Sequence, residues 1–369
     1  MKKSILAIAT LVSLALTGCS SNDDSPTPPK STFELKVDDL KGNITDGIVT
    51  LDPSKTYNLT GGLIVKSGAT LVIPAGTTIK TDPNVDANSL FVAVERDATI
   101  HIDGVAGNPV VMTSGKPSPK ESDWGGLIIC GNGKVNTGDN GTSEVGGLSY
   151  GGNDNDDSSG RINFLRIEYT GSKFTDKKEY NGVSFFGVGR GTEVSNIYAF
   201  ESGDDGIEFF GGAVNASNLA IINAYDDSLD FADGYVGTIT NIYISGVTKA
   251  GIEGSNNGDN DIAEPFTNAK LINVSIVKGS DAKFTASEQA INFKDGGGKQ
   301  AYTNLFVSGI ETFAKLDSGS GATARIDAGD FIVNGINFTT LDNLTASYVS
   351  NQTGAGAGAS LPSWALDIQ

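Results

Sequence analysis

A spacing of 22 to 23 residues between like segments constrains this chain more than any other feature. Ser195-Asn196-Ile197-Tyr198-Ala199 aligns with Ser217-Asn218-Leu219-Ala220-Ile221 and then with Thr240-Asn241-Ile242-Tyr243-Ile244, at offsets of 22 and 23 residues. Ten residues after each Asn a second short strand begins: Gly206-Ile207-Glu208-Phe209, Ser228-Leu229-Asp230-Phe231 and Gly251-Ile252-Glu253. The same pair of strands recurs around Val183 and Phe185, Asn273 and Val274, Ile291 and Phe293, and Asn304 and Leu305, with longer loops between the later ones. One unit of this size cannot bury its own apolar face, so stacked units must supply the core. The period therefore predicts an all-β solenoid, a single-stranded parallel β-helix with coils of about 22 residues.

Alternation along a strand sends Ile207, Phe209, Leu229 and Phe231 inward. It stacks Asn196, Asn218 and Asn241 at a turn, where their amides can pair as a ladder. Short strands split by glycine turns continue toward the N-terminus, as in Ala69–Pro74 and Gly76–Ile79. Residues 36–369 read as one β-helix domain of roughly a dozen coils, or ~60 Å at ~4.8 Å per coil. Lys36–Tyr57 is expected to cap the first coil. A loose Gly-Ala tail follows from Gln352, before Leu361-Pro362-Ser363-Trp364 docks back.

The start of the chain carries a different signal. Lys2 and Lys3, an apolar run from Ile5 to Leu16, and Leu16-Thr17-Gly18-Cys19 have the order of a secretory signal peptide over residues 1–18. The closing tetrad resembles the bacterial lipobox, which implies acylation of Cys19. Residues 19–35, with Asp23, Asp24 and Pro26, Pro28 and Pro29, have the composition of a flexible tether. The acidic pair behind the cysteine resembles the surface-export signal of Bacteroidetes lipoproteins. The expected location is the outer membrane, lipid-anchored and facing outward.

Scarcity narrows the chemistry. One histidine, His101, and one further cysteine, Cys130, leave no set for a zinc cluster, a histidine-dependent triad or a disulfide framework. Cys130, in the run Leu127–Cys130, is expected to be a buried, inert thiol. Removing the leader with its two lysines takes the net charge from −18 to −20. Nucleic acid is thereby a poor partner, whereas cations and neutral or basic ligands suit the chain.

The register also stacks charge. With Ile207 and Phe209 inward, Glu208, Asp230 and Glu253 fall on one outer strip, and Asp204-Asp205 lie over Asp226-Asp227 with Asp233 nearby. Two carboxylates one coil apart repel by roughly 3 kcal/mol at an effective dielectric near 20. Several readings stay open: turn-capping aspartates, a solvated acidic face, a Ca²⁺ site, or catalysis. Hard oxygen donors without thiolate or imidazole favour Ca²⁺ over a transition metal. The Asx-rich loops Gly151–Gly160 and Ser255–Asp261 are weaker candidates for the same ion. Tyr198, Phe210, Tyr225, Tyr235 and Tyr243 are candidates for stacking on sugar rings.

Two resemblances follow from these motifs. Asp205-Gly206-Ile207 followed by Asp226-Asp227 resembles the aspartate set of polygalacturonases, which implies Asp205 and Asp226 as shared bases and Asp227 as acid. That family's Gly-His-Gly and Arg-x-Lys motifs are missing, since the matching positions read Ile242-Tyr243-Ile244. More extensively, Trp124-Gly125-Gly126-Leu127-Ile128, Leu165-Arg166-Ile167-Glu168-Tyr169, Gly203-Asp204-Asp205-Gly206, Phe210–Asn215 and Asp226–Asp230 together resemble a family of Bacteroidetes surface lipoproteins. That resemblance implies a right-handed β-helix of pectin-lyase-like fold and company with TonB-dependent outer-membrane receptors. The function expected on these grounds is a non-enzymatic module capturing an extracellular glycan or other nutrient, with Ca²⁺ assistance. A divergent polysaccharide hydrolase or lyase is the first alternative and a structural or adhesive protein the second.

Overall fold

The computed structural model describes residues 30–138, 141–175, 178–285, 289–316, 322–338, 349–351, 356 and 358–369. Cys19 and the chain up to residue 29 lie outside the described residues. Short runs of Val, Ile, Leu, Phe and Tyr between glycine turns form strands that join a 23-stranded sheet, each paired in parallel with the strand one coil later. This is the parallel β-helix that the 22-residue period requires.

Three faces wrap one core. Thr70–Pro74, Thr99–Asp103 and the leading half of Gly160–Glu168 stack on the first. Thr78–Thr81, Val110–Thr113 and the trailing half of Gly160–Glu168 stack on the second. The third face carries Leu127–Cys130, Val183–Phe186, Ile207–Phe210, Leu229–Ala232, Ala250–Ser255, Gln289–Lys294 and Thr312–Leu316 in succession.

In the later coils the first two faces are a single strand bent at one residue. That residue is Asn196 in Glu193–Phe200, Asn218 in Asn215–Ala224 and Asn241 in Thr238–Val247, at φ of 57°, 57° and 60°. A left-handed backbone costs most L residues ~1–2 kcal/mol, and Asn is among the few that visit it readily. Each amide also donates to the Asn one coil earlier: Asn196 to Asn163 at 2.7 Å, Asn218 to Asn196 at 2.8 Å and Asn241 to Asn218 at 2.9 Å. The ladder continues through Asn273 and Asn304, so it spans inserted loops without losing register.

Inside, Ile207, Phe209, Leu229 and Phe231 are fully buried. Phe185 and Phe209 stack at 4.9 Å with ring planes 9° apart, as one-coil spacing dictates. Chain outside the repeats packs on the coils in two places. Phe33, Leu35 and Val37 pack on the core, while Ser31 and Thr32 donate to Asp46, so residues assigned to the tether by composition lie on the body. At the other terminus Ser363–Leu366 is a short helix, and Ala365 and Ile368 are buried against Tyr198 and Ala220.

The ladder makes a specific prediction. Asn218→Ala loses two amide contacts and places Ala at a left-handed φ, and should cost about 2–4 kcal/mol by chemical denaturation. Asn218→Gly, which keeps the backbone permissive, should cost measurably less. Equal losses would refute the role assigned to the Asn backbone.

Candidate functional site

The third face carries the chemistry because of how its turns repeat. Asp204, Asp205 and Gly206 of one coil lie beside Asp226, Asp227 and Ser228 of the next, with Glu208 paired to Asp230 and Asp230 to Glu253. Gly206 is required by close approach: a Cβ there would lie 2.7 Å from the carbonyl oxygen of Ser228 and 2.2 Å from the Ile221 side chain. The turn aspartates are tied to this stacking. Asp205 Oδ1 accepts the N–H of Asp227 at 2.9 Å, and Asp227 Oδ1 accepts the N–H of Ala250 at 2.7 Å. Turn capping, one of the open readings, therefore accounts for one oxygen of each.

The carboxylates do not form the solvated strip that alternation alone suggests. Asp205, Glu208, Asp227, Asp230 and Glu253 point away from the core yet are each less than one-tenth exposed. The reason is a wall of inserted loops. Val135, Val145, Leu148 and Tyr150 pack on Ile128, Cys130 and Phe186, making a second apolar cluster outside the coil. This lays Glu144 over the face, and the hairpin of Lys173–Thr175 with Lys178–Glu179 brings Glu179 beside it. The result is a cleft of about 470 Å³ with nine carboxyl groups and two lysines, Lys249 and Lys294.

Glu144, Glu179 and Lys294 were not singled out by the sequence. Glu144 lies in a Gly-rich hairpin outside the repeat, and no periodicity relates it to Glu208. Lys294 follows Phe293 in register, so alternation gave its outward side; its place on the acidic coils shows only when the loops are drawn in. Conversely, Asp233 does not line the cleft; burial raises its carboxyl to about 6, and a hydrogen bond with the Tyr150 hydroxyl opposes that rise.

The aromatic candidates are also redistributed. Tyr235 is core, Tyr198 and Tyr243 are buried beneath the C-terminal segment, and Phe210 stacks on Phe186 at 4.1 Å. Tyr225, next to Asp226, is half exposed and remains accessible to a ligand. The two Asx-rich loops serve as structural ties: Asp157 and Asn155 accept the N–H groups of Asn132 and Lys134, and Asn256 bonds the carbonyls of Asp261 and Ala263. Cys130 is fully buried, and burial pushes its thiol well up, so it is inert as expected. His101 lies on the first face, away from the acids.

Crowding sets the protonation of the cleft. Burial first, then Glu179 and Asp226, raises Asp204 to about 9. Burial, then Glu253 and Asp226, raises Asp227 to about 8, and burial raises Glu144 to about 7. Asp205, Glu208 and Asp230 are driven well above the carboxylate range by burial and by one another. Two cations partly offset this: Lys249 pairs with Asp226, and Lys294 with Glu253 at 2.8 Å.

Two overlapping oxygen triads fit a cation. Ligand atoms of Asp204, Asp205 and Asp226 lie within 4.8 Å of one another, as do those of Asp205, Glu208 and Asp230. Ligands on opposite sides of a Ca²⁺ ion at ~2.4 Å are separated by about this distance. Asp230, less than one-tenth exposed, has a buried Oδ1 with no hydrogen-bond partner among the described residues, an acceptor open to a ligand.

A grooved, all-parallel solenoid of this kind is a pectin-lyase-like right-handed β-helix. Residues 42–369 match the model of the pectate-lyase-like β-helix domain, and the chain belongs to that family. Among solved structures, the chain is similar to the Dettilon tailspike protein, with a TM-score of 0.38 and 12% identity over 79% of this chain. It spans 62% of the tailspike's length. No curated protein matches it in sequence.

The raised carboxyls imply a direction for stability. A group whose pKa is higher folded than unfolded holds extra protons in the native state, so its contribution is complete at low pH and is lost as pH rises through the folded value. Without divalent cations, the melting temperature should fall between about pH 5 and pH 9, as Glu144, Asp227 and Asp204 lose protons near 7, 8 and 9. A melting temperature that rises across this window would contradict the buried acidic cluster.

Proposed function

We propose that this chain is a surface-displayed carbohydrate-binding module whose ligand site is the acidic cleft of the third face, with a cation as part of recognition. The observation that carries the reading is the partnerless Oδ1 of Asp230 within the Asp205, Glu208 and Asp230 triad. An oxygen-only donor set of this kind suits Ca²⁺ among metals. Ca²⁺ at the triad would offset the mutual repulsion of the acids and offer open coordination positions to sugar hydroxyls. Tyr225, half exposed and next to Asp226 in the chain, would supply an aromatic surface for a ring. Calorimetric titration with Ca²⁺ should show binding and raise the melting temperature, and Asp230→Asn should weaken it roughly tenfold or more. If Ca²⁺ leaves both heat and melting temperature unchanged, the metal part of this reading fails.

The address is part of the same proposal. Acylation at Cys19 would anchor the module to the outer membrane, with the acidic tract behind it directing it to the outer face beside a TonB-dependent receptor. Cys19→Ala should move the protein from the membrane to the soluble fraction and abolish acyl labelling. Retention of membrane attachment in this variant would remove the anchor assignment.

Polysaccharide hydrolysis is the second reading. It is favoured by Asp227, whose carboxyl burial and Glu253 raise to about 8, the direction a general acid needs, beside the ion-paired Asp226. Against it, Asp205 and Asp227 each spend an oxygen on backbone N–H groups. Reducing-sugar release by the wild type, lost in Asp205→Asn/Asp227→Asn, would replace the non-enzymatic reading with this one.

A further inference from the structure

The outward column of the third face changes sign along the axis. In successive coils it reads Ser184, Glu208, Asp230, Glu253, Asn292 and Lys315. A second cleft of about 420 Å³ continues the acidic one and shares Lys249, Glu253 and Lys294 with it; Asn292, Asp295 and Lys315 line its far end. The two depressions are one groove with a strongly negative half and a half in which Lys315 is an exposed cation, Asp295 there lying 4.0 Å from the Lys294 ammonium.

The groups at the seam are spent on each other. Glu253 accepts from Lys294 at 2.8 Å and from the Asn292 amide at 2.6 Å, and Lys249 pairs with Asp226. The groups at the two ends are not. Asp230 keeps its buried, partnerless Oδ1. Lys315 is exposed, and its ammonium forms no hydrogen bond or ion pair with any described residue. Three coil steps separate these rows, or ~14 Å at ~4.8 Å per step.

We infer that the groove takes a zwitterionic oligosaccharide, with an ammonium group at Asp205, Glu208 and Asp230 and an acidic group a few sugar units away at Lys315. The inference rests on the acidic cleft being the ligand site and adds the class of sugar it selects, with the sugar's own ammonium taking the place at the triad that Ca²⁺ holds when no such sugar is bound. An ammonium presents three donors to the triad, and one of them meets the acceptor that Asp230 leaves unused. The paired Glu253 and Lys294 lie between the two halves, so a neutral stretch of chain passes over them without desolvating an unpaired charge. A uniformly anionic chain would meet the carboxylates at one end, and a uniformly cationic chain would meet Lys315 at the other. Charge order along the groove therefore sets direction as well as selection. A metal ion and the ligand ammonium would compete for the same oxygens.

The test uses a synthetic tetrasaccharide with a free amine at one end and a uronate at the other, together with its N-acetylated and carboxyl-reduced forms. Each is titrated calorimetrically into the full body, with and without Ca²⁺. The bipolar sugar should bind at least tenfold more tightly than either blocked form, and added Ca²⁺ should weaken it. Lys315→Gln, a surface change that leaves the core untouched, should erase the preference for the uronate and keep that for the amine. Asp230→Asn should do the reverse, with a melting curve confirming that it folds. Equal binding of all three sugars, or indifference to Lys315→Gln, overturns the zwitterion and leaves the acidic cleft as a ligand site. Failure of every sugar and of Ca²⁺ removes that underlying reading itself.

Discussion

Everything in this molecule depends on parallel stacking at one residue in register per coil. Backbone pairing fixes the separation of neighbouring coils at ~4.8 Å, which brings each side chain over its counterpart one period later. Where the counterparts are Phe185 and Phe209, superposition yields near-parallel rings. Where they are Asn196 and Asn218, it yields a hydrogen bond and a matched left-handed bend. Where they are Glu208 and Asp230, it yields repulsion that must be relieved from outside the strand.

That relief is unequal along the chain, and the inequality creates the site. Lys249 reaches Asp226, Lys294 reaches Glu253 and Asp295, and backbone N–H groups reach Asp205 and Asp227. Protonation takes up much of the remainder, because burial and crowding both favour the neutral acid. Asp230 is left with an acceptor that none of these satisfies. A buried acceptor without a partner is costly, and in a cleft open to solvent it is a place for a ligand to gain free energy.

The loops determine how much that is worth. Residues 131–138 and 141–150 pack on the outside of the third face through Val135, Leu148 and Tyr150, an apolar contact that also covers Cys130 and Phe186. Without that wall the acids would be screened by water and their mutual effect would be small. With it they share a low-dielectric recess, and recognition of charge becomes selective.

Much of the fold could be read from the chain itself. The offsets between Asn196, Asn218 and Asn241, and the alternation around Ile207 and Phe209, set coil length, core and ladder, since both follow from local periodicity. The same reasoning put Glu208, Asp230 and Glu253 in one column. Local periodicity does not reach the inserted segments, which pack wherever an apolar surface is offered. Thus the burial of the acids, the arrival of Glu144 and Glu179, the separation of Asp233 from the cleft and the covering of Tyr198 and Tyr243 were settled by tertiary contacts alone. Which residues superpose follows from the chain alone, because register is a property of spacing. Which of them meet water follows from the packing, because that depends on where non-repeating chain comes to rest.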